Sequence, residues 1–321
     1  MERFEAPWWL PGGNTQTIWP ALFSRPRLRE APAYRRERWS TPDGDFVDVD
    51  HLAGQPGAPR LVLFHGLESG STSRYALAFA LAAQALGWGF SVPHFRGCSG
   101  EINLAPRAYH SGDHEEVGWM LGRLRAAESA PLYATGVSLG GNALLRWAEE
   151  AGTTAARTVR CVAAVSAPVD LAAAGRAIDR GFNRLVYARM FLRTMKPRAL
   201  QKWQQHPGLF DRDRLVAART LFEFDDVFTG PLHGFKGTLD YWTRASAKPH
   251  LAAIRVPTLV LNAWNDPFVP GVSLPGVHEV GNQVTLWQPA HGGHVGFARG
   301  AWPGDVRGLP HAVFGWLQAQ G

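Results

Sequence analysis

The sequence predicts an α/β fold: a mostly parallel sheet of eight strands, helices on both faces, and an inserted helical cap. Three observations lead there. Short unbroken apolar runs such as Leu61–Phe64 and Thr258–Leu261 alternate with longer amphipathic stretches, as expected of strands buried on both faces. About 90 residues separate two of these runs, far more than a crossover helix requires. The pentapeptide Gly136-Val137-Ser138-Leu139-Gly140 stands where a strand would pass directly into a helix.

Taken in order, the arm over residues 1–35 holds Trp8, Trp9 and Trp19 among several prolines and glycines. It reads as no single regular element, its tryptophans packed on the domain, with a substrate entrance as the alternative. Arg36 to Ser40 and Phe46 to Asp50 flank the turn sequence Thr41-Pro42-Asp43-Gly44-Asp45 and read as a hairpin. The strand Leu61–Phe64 is followed by a helix over 73–86, the strand Phe90-Ser91-Val92, a helix over 113–125 and a strand from Tyr133. After Ser138 a helix over 141–150 places Leu144, Leu145 and Ala148 on one face. Strands Cys161–Val165, Thr258–Leu261 and Val284–Trp287 and a helix over 306–320 complete a single domain spanning 1–321, with the cap at about residues 171–244. Within the cap, Arg176, Arg180, Arg184, Arg189 and Arg193 recur every four or five residues, the spacing of a solvated basic helix face, with contact to an anionic surface or substrate as the second reading.

Composition sets limits. With 45% hydrophobic and 19% charged residues, the 321-residue chain can bury a large core. The net charge of +6 comes from dispersed arginines without a run of cations, which argues against nucleic acid as a partner. Two cysteines, Cys98 and Cys161, make no disulfide framework and fit a reducing compartment. The first ten residues lack a secretion signal, and no apolar run reaches the roughly 20 residues of a membrane span. The expected location is the cytoplasm, with weak membrane-surface contact still open; nothing speaks to the oligomeric state.

The chemistry centres on Ser138. Glycine two residues to either side lets strand and helix approach closely, so the serine sits on a sharp turn that lifts its hydroxyl above the sheet. A serine hydroxyl is a poor nucleophile unless an imidazole takes its proton and a carboxylate orients that imidazole. Asp266 follows one strand and His294 the last strand, in the order serine, acid, histidine. His291 competes as the base. Asp225, Asp226 and Asp240 lie in the cap and suit the acid role less well. A metal site from His291, His294 and Asp266 is a poor signal without a helix to space the ligands. The pair His206 and Asp211 carries no weight. Backbone N–H groups of Leu139 and Leu67 are the expected oxyanion donors, the latter because Gly66 permits a tight bend. His65 reads as a support for that loop.

The blocks Trp9-Leu10-Pro11-Gly12-Gly13-Asn14-Thr15-Gln16-Thr17, His65-Gly66-Leu67-Glu68, Phe95-Arg96-Gly97-Cys98-Ser99-Gly100, Tyr109-His110-Ser111-Gly112, Gly136–Asn142, Phe224-Asp225-Asp226, Asp266-Pro267-Phe268 and Gly292–Phe297 occur in one order along the chain. In these it resembles the YheT-like α/β-hydrolases, the AB hydrolase 4 family. The resemblance implies a serine hydrolase of carboxylic esters with Ser138, Asp266 and His294 as triad and without metal or organic cofactor. The family's range leaves an alcohol O-acyltransferase or a membrane-surface lipase or phospholipase as alternatives. Short- to medium-chain acyl esters or acylglycerols are the expected small-molecule substrates, and Cys98 is read as a buried loop residue.

Overall fold

The computed structural model describes residues 4–24 and 32–320. Its strands are β1 (Arg35–Ser40), β2 (Phe46–Leu52), β3 (Arg60–Phe64), β4 (Gly89–Pro93), β5 (Leu132–Val137), β6 (Val162–Val165), β7 (Thr258–Leu261) and β8 (Val284–Trp287). Its principal helices are α1 (Gly12–Leu22), α2 (Arg74–Ala85), α3 (His114–Ala127), α4 (Leu139–Ala151), α5 (Leu171–Ile178), α6 (Arg189–Gln205), α7 (Leu221–Val227), α8 (Thr238–Ala245) and α9 (Gly308–Gln318).

The strands form one eight-stranded sheet in the order β1-β2-β4-β3-β5-β6-β7-β8. Only β1 with β2 and β2 with β4 pair antiparallel; every later pairing is parallel. This is the α/β-hydrolase architecture. The central strands are apolar throughout because helices cover both faces: α2 and α9 pack on one side through Phe79, Val313 and Phe314, and α3 and α4 on the other through Met120, Leu121 and Leu144. Buried Arg96 ties the hairpin to the helical layer, pairing with Asp43 and Asp45 on the turn and with Glu116 on α3.

Between β6 and β7 the chain forms the helical segments α5 to α8, which gather a separate apolar cluster around Tyr187, Phe224, Phe228 and Phe268. A π-helical turn, Arg184–Ala188, leads into α6. Within the predicted cap, Arg176, Arg180, Arg184, Arg189 and Arg193 are all exposed.

The N-terminal arm departs from expectation. Its residues 12–22 are helical despite their prolines and glycines. Pro11 precedes the first turn, where a missing N–H costs nothing, and Pro20 frees only the Gln16 carbonyl, which lies against Gly296. Trp9 and Trp19 pack edge-to-face and donate to the carbonyls of Gly300 and Pro303, but Trp8 stands 92% exposed. Part of the predicted arm, residues 1–3 and 25–31, lies outside the described residues.

Candidate active site

Loops leaving the carboxyl ends of β5, β7 and β8 carry Ser138, Asp266 and His294. Such loops converge because parallel strands all end on the same edge. Ser138 has φ +54 and ψ −121, a conformation side chains rarely adopt, held by its N–H to the Val165 carbonyl (2.8 Å) and by the start of α4. The flanking glycines are sterically required. A Cβ on Gly136 would meet the Gly140 carbonyl oxygen at 2.4 Å, and one on Gly140 would meet the Phe64 and His65 carbonyls at 2.5 Å. Asn142, one turn into α4, is fully buried and bonds the carbonyls of Ser111 and Ala245 and the N–H of Ala247.

The three predicted side chains meet. Ser138 Oγ lies 2.9 Å from His294 Nε2, and His294 Nδ1 lies 2.8 Å from Asp266 Oδ2. Asp266 is buried, and its other oxygen accepts from the N–H groups of Phe268 (2.8 Å) and Val269 (3.2 Å). With the carboxylate on Nδ1, the imidazole carries its proton there and leaves the Nε2 lone pair facing the serine hydroxyl. The Phe268 ring lies 4.2 Å from the imidazole, centroid to centroid.

The loop bearing His294 is held by residues to which the sequence had given no individual role. Thr17 Oγ1 accepts from the His294 N–H at 2.8 Å and donates to the Gly13 carbonyl. Gln16 Oε1 accepts from Gly292 N–H and from Asn265 Nδ2, both at 2.9 Å, while Asn265 Oδ1 accepts from Gly293 N–H. There is no room for side chains at the contact: a Cβ on Gly13 would sit 1.8 Å from the Asn265 carbonyl oxygen, and one on Gly293 would strike Gln16. Ser166 Oγ accepts from Val295 N–H at 3.0 Å. The block from Trp9 to Thr17 was the available signal.

Leu67 and Leu139 border the same cavity as Ser138 and His294, and among the described residues neither N–H has a protein acceptor. The preceding Gly66 N–H, by contrast, donates to Tyr75 Oη at 2.9 Å. Glu68 follows at φ +56, locked by Tyr109 and reached from α6 by Arg198 at 3.3 Å. His65 supports this loop: it accepts from Phe95 N–H and donates to the Gly66 carbonyl, and burial lowers it to about 3, so it is neutral. The cavity of about 150 Å³ is mainly apolar, walled by side chains including Ile102, Leu171, Ile178, Phe191, Met195 and Trp242.

The competing residues go elsewhere. His291 is exposed, with Nδ1 3.4 Å from Asn265 Nδ2. Asp225 accepts from Thr229 and Trp242 inside the cap, where burial raises it to about 7. Asp226 and Asp240 pair with Arg214 and Arg244. His206 bonds the Leu104 carbonyl, and Asp211 caps the following helical turn. Burial pushes the Cys98 thiol up to about 12, which leaves it a thiol and no nucleophile. Among the described residues no group of three His, Cys, Asp or Glu side chains could hold a metal ion.

Comparison with known proteins follows the same line. The family model for the alpha/beta hydrolase fold matches residues 59–301. YheT of Escherichia coli (strain K12), which carries esterase in its name, is 39% identical over 95% of this chain and 89% of its own. Human Phospholipase ABHD3 is 30% identical over 92% of this chain and 73% of its own. Among solved structures, mouse alpha/beta hydrolase domain-containing protein 10 superposes with a TM-score of 0.55 at 15% identity, covering 89% of this chain and all of that one.

Proposed function

The chain belongs to the α/β-hydrolase family, with an esterase and a phospholipase among its relatives, and from this we propose that it is a carboxylic ester hydrolase with Ser138 as nucleophile. His294 Nε2 takes the hydroxyl proton as Ser138 Oγ attacks the ester carbonyl, and Asp266 steadies the imidazolium that results. The N–H groups of Leu67 and Leu139 receive the oxyanion. Collapse passes the proton from His294 to the departing alcohol and leaves an acyl-serine; water, deprotonated by the same imidazole, then releases the acid. The single observation supporting this reading is the hydrogen-bonded line from Ser138 through His294 to Asp266, opening on a cavity beside two unpaired N–H groups.

The apolar walls favour an uncharged acyl chain of short to medium length. Intact-mass measurement after a fluorophosphonate probe tests the nucleophile: the native chain should gain one adduct and Ser138→Ala none. In the same variant, aryl ester hydrolysis should fall by roughly 10⁴–10⁶ in kcat. Labelling that persists without Ser138 places the nucleophile elsewhere.

A further inference from the structure

The segment from Arg180 through α6 has two unlike faces. Its inner side walls the cavity through Phe191, Met195 and Ala199. Its outer side shows Arg180, Arg184, Arg189 and Arg193, all exposed and, among the described residues, without an ion pair or a side-chain hydrogen bond. Between them Phe182, Leu185 and Met190 stand 52%, 67% and 52% exposed. No acidic residue occurs between Asp179 and Asp211. Asp179 feels the charge of Arg184, but its carboxylate is committed to the N–H groups of Leu221 and Phe222.

A solvated helix face ordinarily mixes both signs of charge, and isolated exposed apolar residues need no partner. Here cations of one sign alternate with apolar side chains along an uninterrupted stretch, the composition of a helix lying in a membrane interface. Guanidinium groups pair bidentately with phosphate, and the side chains between them are of a length to enter the acyl boundary. No helix among the described residues is long and apolar enough to cross a membrane, so contact through this face would be peripheral.

We propose that the outer face of residues 180–193 docks on an anionic phospholipid surface, setting the wall of the acyl cavity against the bilayer. The inference uses the ester-hydrolase reading only to say what docking would deliver; binding itself does not need Ser138. Co-sedimentation with vesicles of phosphatidylcholine alone and of phosphatidylcholine with phosphatidylglycerol tests it, using the native chain and Ser138→Ala. Both should bind the anionic vesicles and release them as salt rises. Replacing Arg184, Arg189 and Arg193 by Glu should weaken that binding by roughly 100-fold or more, at about tenfold per 1.4 kcal/mol and about 1 kcal/mol per arginine. Hydrolysis of a soluble aryl ester should be unchanged in this variant. Leu185→Ser with Met190→Ser should weaken vesicle binding while all arginines remain. Absence of binding at low salt, equal binding to neutral vesicles, or binding to duplex DNA that matches the vesicles and ignores the Leu185 and Met190 changes would each overturn the proposal. Loss of aryl ester hydrolysis in Ser138→Ala with vesicle binding intact keeps the two readings separate.

Discussion

Thr17 Oγ1 has the smallest job in the site and a sharply testable one: it fixes the backbone from which His294 projects. Thr17→Val keeps the shape and removes the acceptor. Because displacement of a catalytic group by about 1 Å can cost as much as 10²-fold, kcat should fall roughly 10- to 100-fold with KM within twofold, and Thr17→Ser should restore it. A loss of thermal stability without a change in kcat would reduce Thr17 to a packing residue. Asp225 offers a second test at this scale. Burial raises it to about 7 from an ordinary value near 4, so the folded chain keeps a proton that the unfolded chain releases. Stability from that proton is complete below about pH 4 and is lost as pH climbs through about 7. Melting curves should therefore show the native chain losing ground to Asp225→Asn between pH 5 and 8; parallel profiles would refute the assignment.

Among elements, the joint between β5 and α4 is the most constrained. Gly140→Ala would put a methyl group 2.5 Å from two carbonyl oxygens at the end of β3, and nothing there is a flexible side chain that could yield. It should destabilise the fold by roughly 1–3 kcal/mol and pull the Leu67 loop away, readable as a lower melting temperature together with reduced fluorophosphonate labelling. This joint was legible in the sequence because a strand, a glycine-spaced serine and a helix are local in the chain. β7 and β8 were legible for the same reason, and with them the positions of Asp266 and His294. The first helix was not. Its composition opposes helix, and what stabilises it is contact with residues far along the chain: Gln16 and Asn265 are 249 positions apart, a pairing that no local pattern encodes. The bend at Gly66 pointed from the sequence to Leu67 as a donor, but the Tyr75 hydroxyl that occupies the neighbouring N–H was not legible, since its helix carried only an apolar signal.

At the scale of the whole molecule, the sheet separates two jobs. Its interior strands are apolar on both faces and hold the loops at one edge, and the cap supplies an apolar cavity that the sheet does not form. Leu63→Ala, at a fully buried position of β3, should cost about 2–5 kcal/mol in a denaturant titration and leave kcat of the surviving folded fraction near native. A fall in kcat larger than the loss of folded protein would show that the core and the site are not separable. The bracing of residues 292–294 by residues 13–17 also bears on how the enzyme comes into being. Translation delivers the buttress 277 positions ahead of the residue it steadies, so the arm leaves the ribosome long before the loop it braces exists. On the proposed chemistry, activity would wait until both partners had been made, a delay written into the connectivity itself.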